Sequence, residues 1–245
     1  MKKVILIVSI LFSFFLNSCT LKELLSETLL PDGDLVTVEK GIEDFSEIEV
    51  SSGITVTIRE AIDDNKLSIS TNDNIQDYVQ VSLSDKKLSI QIKNGYKLGD
   101  DAKVTIILYY NKIDSINSFT TRNSSYINCA SLYKLKELNI KLYDESEIFL
   151  SLSSVKAYLI VEGKSEFYGQ GRYDDLEAKL SGSCEVNIND KGIGILKINM
   201  KDSAFMICYV SNSIDIVMSD WSRFIYKGTT NFINQQITGN ASIMS

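Results

Sequence analysis

Three pairs of adjacent carboxylates, Asp63-Asp64, Asp100-Asp101 and Asp174-Asp175, are the residues best suited by type to acid–base chemistry. Glycoside cleavage needs two carboxyl groups roughly 5 to 9.5 Å apart in different environments. The first two pairs sit in turn compositions, Asp63-Asp64-Asn65-Lys66 and Leu98-Gly99-Asp100-Asp101, where solvated loop residues are expected. Arg172-Tyr173-Asp174-Asp175 adds a guanidinium and a phenol to its carboxylates. It is therefore the candidate for a glycan-cleaving centre or, more simply, for a charged ligand face. Histidine is absent, which excludes Ser-His-Asp and Cys-His catalysis and removes the commonest zinc ligand. No phosphate loop, zinc-ligand cluster or EF-hand spacing occurs, so no cofactor and no metal is expected. A non-enzymatic reading is favoured, with a polysaccharide lyase or hydrolase at Arg172, Asp174 and Asp175 as the alternative.

Aromatic side chains offer a second kind of chemistry, stacking on sugar rings or anchoring a protein partner. Tyr109, Tyr110, Tyr126, Tyr133, Tyr143, Tyr158, Tyr168, Tyr173, Trp221 and Tyr226 recur along the chain. With the charged group, the candidate ligand face is Arg172, Tyr173, Asp174, Asp175 and Trp221. Cys129, Cys184 and Cys208 are expected to be buried free thiols acting as small hydrophobes, with Cys184 directed into the core by its parity with Val186 and Ile188.

The elements that must position these residues repeat. A short turn motif recurs as Asp144-Glu145-Ser146, Gly163-Lys164-Ser165, Ser181-Gly182-Ser183, Asp202-Ser203, Asp220-Trp221-Ser222 and Gly239-Asn240-Ala241-Ser242. Anchored on Ser146, Ser165, Ser183, Ser203, Ser222 and Ser242, its steps are 19, 18, 20, 19 and 20 residues. Alternating runs flank each copy, such as Leu138, Ile140, Leu142 before and Ile148, Leu150, Leu152 after. A fixed period of this size predicts an all-β solenoid whose strands stack in parallel, with the motif serines in one row. An antiparallel sandwich would not require the steady step.

The N-terminus reads as an address. Met1-Lys2-Lys3 is a positive n-region, and Val4 to Leu16 is an apolar run of 13 residues, too short to span a bilayer comfortably. Leu16-Asn17-Ser18-Cys19 resembles the bacterial lipobox, which implies cleavage before Cys19 and lipidation of its thiol. Each buried acyl methylene contributes about 0.8 kcal/mol, so several chains hold a protein stably on a membrane. The expected division is a signal peptide over 1–18, a lipidated Cys and tether over 19–40, and one folded domain over 41–245. The formal charge of −7 argues against nucleic-acid binding, which needs clustered Lys and Arg.

The mature domain opens on Phe45-Ser46-Glu47-Ile48-Glu49-Val50-Ser51-Ser52-Gly53-Ile54-Thr55-Val56-Thr57-Ile58. It passes through the Ser181-Gly182-Ser183 rung and ends on Tyr226-Lys227-Gly228-Thr229 and Ile237-Thr238-Gly239-Asn240-Ala241-Ser242. This order resembles the head GIN domain family of auto-transporter adhesins, Bacteroidota envelope proteins first catalogued as a domain of unknown function. The resemblance covers roughly residues 41–245. It implies a right-handed parallel β-helix, here with rungs of about 19–20 residues, often exported or carried as a lipoprotein. The expected function is thus a lipid-anchored outer-membrane or cell-envelope protein that binds a glycan or an envelope or host protein. A purely structural envelope lipoprotein is the third reading.

Overall fold

The computed structural model describes residues 26–131 and 133–245. The lipobox, Cys19 and the apolar run lie outside the described residues.

Alternation of apolar and polar residues makes the strands, and turn residues that tolerate left-handed backbone end them. Seven rungs wind in sequence order. Each carries one strand on a first sheet and one on a second. On the first sheet lie β10 (Ser118–Thr121), β12 (Lys134–Leu142), β14 (Ser153–Val161), β16 (Tyr173–Leu180) and the second half of β17 (Glu185–Met200). The second half of β18 (Phe205–Met218) and β20 (Asn231–Ile237) complete that series. On the second sheet lie β11 (Tyr126–Cys129), β13 (Glu147–Leu150), β15 (Glu166–Gly169), the first halves of β17 and β18, β19 (Arg223–Lys227) and β21 (Ser242–Met244). All these neighbours pair in parallel and nearly in register. The expected all-β, parallel solenoid is thus what forms, with about seven turns.

Register turns every second residue into a member of an interior column. One column runs Ile90, Val50, Thr121, Leu142, Val161, Leu180, Met200 and Met218. Another runs Ile106, Val56, Ile127, Ile148, Phe167, Val186, Met206 and Phe224. Apart from Thr121 these are buried apolar side chains, and their removal from water is the main force holding rung to rung. Thr121 is compensated by a buried hydroxyl–hydroxyl bond to Ser146 at 2.9 Å.

The N-terminal end does not follow sequence order. β3 (Glu47–Val50) and β4 (Thr55–Glu60) stack directly below β10 and β11. β7 (Lys87–Ile92) and β9 (Thr105–Tyr110) then stack on the outer side of β3 and β4. Antiparallel strands close this end: β5 (Lys66–Asn72) on β9, β2 (Leu35–Gly41) on β5, and β6 (Val79–Ser84) on β7. A single helical turn, α1 (Asp73–Gln76), follows β5 and buries Ile75. β1 (Glu27–Leu29) pairs with β8 (Tyr96–Leu98) in a separate two-stranded sheet. Part of the stretch expected to be a tether, residues 27–29 and 35–40, is therefore strand, because its residues find partners in β8 and β5.

The row of turns corrects the serine alignment. Backbone bonds from one rung to the next place Ile54, Ser125, Ser146, Ser165, Cys184, Ala204, Ser222 and Ala241 in one column, most of it buried. Ser183 and Ser203 sit one position earlier, outside, with Glu145, Lys164, Trp221 and Asn240, and Ser242 sits one position later, opposite Arg223. The conserved geometry belongs to the preceding residue. Asp144, Gly163, Gly182, Asp202, Asp220 and Gly239 all have positive φ, the conformation that Gly, Asn and Asp adopt most cheaply.

Candidate functional site

The expected ligand face comes apart in the fold. Tyr173 points inward and is fully buried, in a column with Leu135, Ser154, Ile193 and Val210. Its ring occupies the space that Gly169 leaves: a Cβ on that glycine would lie 2.9 Å from the Tyr173 hydroxyl. Asp174 accepts from Lys134 at 2.7 Å and from Arg172 at 3.4 Å. The Lys134 ammonium, helped by Arg172, holds the Asp174 carboxyl below the usual carboxylate range, the opposite of what a general acid needs. Asp175 is exposed and stacks on Lys156 and Ile195 along the first sheet. Trp221 is exposed at 67 % on the turn row, a different corner of the rung. The tyrosines likewise form no ladder. Tyr110 is buried, Tyr143 lies under the Arg122 guanidinium at 4.0 Å, and Tyr158 belongs to the first sheet.

The three thiols are buried and free as expected, Cys184 on the inward parity it shares with Val186 and Ile188. Burial pushes Cys129 up to about 12 and Cys184 up to about 11, and raises Cys208 as well. A thiol so far from ionising is a poor nucleophile.

An extended concave surface lies elsewhere, along the turn row toward the N-terminal end. It is an open cleft of 1110 Å³. Its floor is built from four successive turns, Ser51-Ser52-Gly53, Asn123-Ser124, Asp144-Glu145 and Gly163-Lys164. Paired left-handed residues at Ser52-Gly53 and Asn123-Ser124 set the floor's shape, and Gly53 N–H donates across it to the Asn123 carbonyl at 2.8 Å. Its wall is the segment from Gln91 to Leu98 with Ser26. That wall is held by β1–β8 pairing and by the Tyr78–Tyr96 ring contact at 4.5 Å. Lys93, Asn94, Lys97 and Lys164 bring donors, and Asp144 and Glu145 bring acceptors. Lys164 and Glu145 pair at 2.7 Å. An open cleft with side chains of both charges beside Ile92, Tyr96 and Leu98 can bind hydroxyl-rich or zwitterionic ligands.

Sequence reasoning missed this cleft. Each contributing segment reads as a turn by itself, but nothing local says that residues 26, 51–53, 91–98, 123–124, 144–145 and 163–164 meet. A second surface is the flat outer side of the second sheet. There Phe149, Tyr168, Asn187, Ile207 and Ile225 form one column beside Glu147, Glu166 and Glu185. Tyr168 donates to Glu166 at 2.6 Å, while burial and the Glu166 charge raise the Glu147 carboxyl.

The family described as "Putative auto-transporter adhesin, head GIN domain" matches residues 44–230. No curated protein matches. Among solved structures, a putative adhesin of Bacteroides fragilis superposes with a TM-score of 0.71 at 17 % identity, covering 89 % of this chain and 98 % of that one. A putative adhesin of Parabacteroides merdae gives 0.67 at 14 %, covering 89 % and 99 %. A protein of Parabacteroides distasonis described as a putative lipid binding protein gives 0.67 at 16 %, with the same coverage. At such identities the structures speak for the fold alone. The family match, over most of the chain, carries more: the chain belongs to the head GIN domain family.

Proposed function

We propose that this member of the head GIN domain family is a lipid-anchored, non-enzymatic binding protein of the cell envelope, and that the turn-row cleft takes a glycan. The observation that carries the reading is the cleft itself, which is open, carries charged and polar side chains beside the apolar Ile92, Tyr96 and Leu98, and is built on hydrogen-bonded rung turns. Sugar hydroxyls need donors and acceptors in alternation, and Lys93, Asn94, Lys97, Asp144 and Glu145 provide both. The half-buried ring of Tyr96 supplies an apolar contact. The adhesin description of the family supports a binding role at the cell surface or envelope. Against catalysis, the carboxylate at Asp174 is already neutralised by two cations.

A glycan array probed with the chain lacking residues 1–19 tests the reading. Specific binding, lost in the triple variant Lys93→Ala/Asn94→Ala/Tyr96→Ala with its circular dichroism intact, is the expected result. Binding that survives those changes, or none to any glycan, defeats it. Because one structural relative is described as lipid binding, phospholipid vesicles belong in the same screen. The anchor is tested apart. Cys19→Ala should lose labelled palmitate, and undiminished labelling would remove the lipoprotein reading.

A further inference from the structure

We infer that β1 is a strap coupling the proposed N-terminal anchor to the turn-row cleft: seated, it braces the cleft wall, and released, it frees that wall. β1 and β8 form a sheet of their own, and neither pairs with another strand among the described residues. Glu27, Thr28 and Leu29 lie opposite Tyr96, Lys97 and Leu98, and those three residues of β8 line the cleft. Bonds at both ends close the pairing. The Glu27 N–H donates to the Gly95 carbonyl at 2.8 Å, and the Gly99 N–H donates to the Leu29 carbonyl at 2.9 Å. Gly99 permits this approach, since a Cβ there would lie 3.2 Å from the Leu29 carbonyl oxygen and 2.9 Å from the Leu30 side chain. Past Leu29 the Asn74 side chain takes over, donating to the Leu30 carbonyl at 2.9 Å and accepting the Asp32 N–H at 3.1 Å.

The strap is held lightly. Of its three residues only Leu29 is buried. A rung strand such as β14 is paired on both edges, by β12 and β16, and buries side chains along its whole length. Short elements with few buried contacts open at a fraction of the cost of global unfolding, so β1 can leave while the rungs stay folded. When it leaves, β8 loses its strand partner and the Gly99 N–H loses its acceptor. The wall then hangs on the Tyr78–Tyr96 ring contact and on the Lys93 N–H bond to the Tyr78 carbonyl at 2.8 Å. β1 is also the first strand among the described residues. Ser26, just before it, lines the cleft and stands seven positions after Cys19. A pull arriving from Cys19 therefore loads β1 before any rung. By linkage, release of the strap weakens a ligand that bridges wall and floor, and the bound ligand resists release by the same factor. That consequence rests on the proposed anchor and the proposed cleft ligand, whereas the strap itself rests on neither.

Hydrogen exchange of the full chain at rising urea, read by mass spectrometry, tests the strap. Amides of residues 95–99 should exchange through an opening insensitive to low urea, at least about tenfold faster than those of β12 and β14. Leu29→Asp should speed exchange at 95–99 by about tenfold more, with rung exchange and melting temperature unchanged, because a released strap carries the new charge into water. A Thr28→Cys/Lys97→Cys disulfide, between directly opposed residues, should slow it when oxidised and not when reduced. Exchange at 95–99 that follows the rungs through urea overturns the inference. So does a disulfide that leaves it unaltered, or a Leu29→Asp chain whose rungs lose protection too. Glycan binding is a separate result. Any array glycan that binds the parent should bind Leu29→Asp at least about tenfold more weakly, and unchanged affinity overturns the coupling. An array on which the parent binds nothing defeats the glycan reading, and the exchange result then decides the strap alone.

Discussion

The two ends of this solenoid solve the same problem in opposite ways. At the N-terminal end the chain folds back over its first rungs. β5 and β6 run antiparallel along β9 and β7, and β2 covers β5. The join is deeply buried. Tyr110 is wholly inside, its ring 4.3 Å from that of Phe45. Its hydroxyl donates to the Phe45 carbonyl at 2.8 Å and accepts the Phe45 N–H at 3.0 Å. Among the described residues the C-terminal rung has no such cover. Gln235 and Ile237 finish the first sheet's interior columns, and the half-buried Phe232, Ala241 and Ile243 pack against the core. Sealing an end takes non-local strand pairing, whereas leaving it open takes only a rung made neutral.

The largest test of that contrast is to remove the open rung. Deleting residues 231–245 uncovers Ile214, Ile216, Met218 and Phe224, all now essentially inaccessible. A fully buried side chain of this kind contributes about 1.5 to 3 kcal/mol, so even partial exposure of four should cost about 4 kcal/mol or more. Urea unfolding and solubility measure it. A truncated chain as soluble and as heat-resistant as the parent would mean that the last rung is not part of the solenoid.

Single residues sharpen the contrast next. Tyr110→Ala at the sealed end should cost about 3 to 5 kcal/mol by leaving a large cavity. Tyr110→Phe keeps the ring but strands the Phe45 N–H, for about 1 to 3 kcal/mol. Phe232→Ala at the open end should cost less, about 1 to 2 kcal/mol, since part of the side chain is already in water. Equal losses for Tyr110→Ala and Phe232→Ala in denaturant titrations would show that both ends are equally well packed.

These asymmetries were unevenly legible in the sequence. From Ser118 on, each rung follows the last, so period, parity and turn residues report the fold directly, including the inward thiol of Cys184. The register was misread by one residue at Ser183, Ser203 and Ser242. Serine serves equally well inside the turn row, as Ser146 and Ser165 do, and outside it, whereas only left-handed positions demand Gly, Asp or Asn. Tyr173 was read as a surface aromatic because its neighbours are charged, yet the glycine at 169 leaves the interior space that its ring fills. The insertion of β3 and β4 between β9 and β11 left no local trace. Neither did the cleft, since both depend on contacts between segments far apart in sequence.

The turn row between the two ends gives a smaller effect and a control. Gly163 and Gly182 share the left-handed conformation, which costs a residue with a Cβ about 1 to 2 kcal/mol. Their surroundings differ. A Cβ at Gly182 would lie 2.6 Å from the Gly163 carbonyl oxygen, while one at Gly163 would come no nearer than 3.3 Å to Asp144. Gly182→Ala should therefore lower the melting temperature more than Gly163→Ala. The reverse order would mean that the turn row adjusts more freely than its stacked backbone bonds imply.

The smallest effect separates the ends by pH. Glu49, on the second rung from the sealed end, is bonded by Lys87 and by Arg122, the latter at 3.1 Å. Burial opposes its charged form, but Lys87 and then Arg122 outweigh that and hold its carboxyl below 4.5, its ordinary value. A carboxyl depressed in the folded state adds stability that is fully present above its unfolded value and fades as pH falls through the folded one. Glu49→Gln should thus cost about 1 kcal/mol or less at pH 7, because the pair is partly exposed and screened, and progressively less as pH falls below 4.5 through the lowered folded-state value. The open end behaves differently. Residues 228–245 contain no titratable side chain, so the loss from Phe232→Ala should be the same at pH 7 and pH 4. Parallel stability curves for Glu49→Gln and its parent across pH 3 to 7 would remove the ion pair from the account of the sealed end. A pH-dependent loss for Phe232→Ala would show that the open rung is coupled to charges beyond its own strands, Asp215 and Asp220 being the nearest in sequence register.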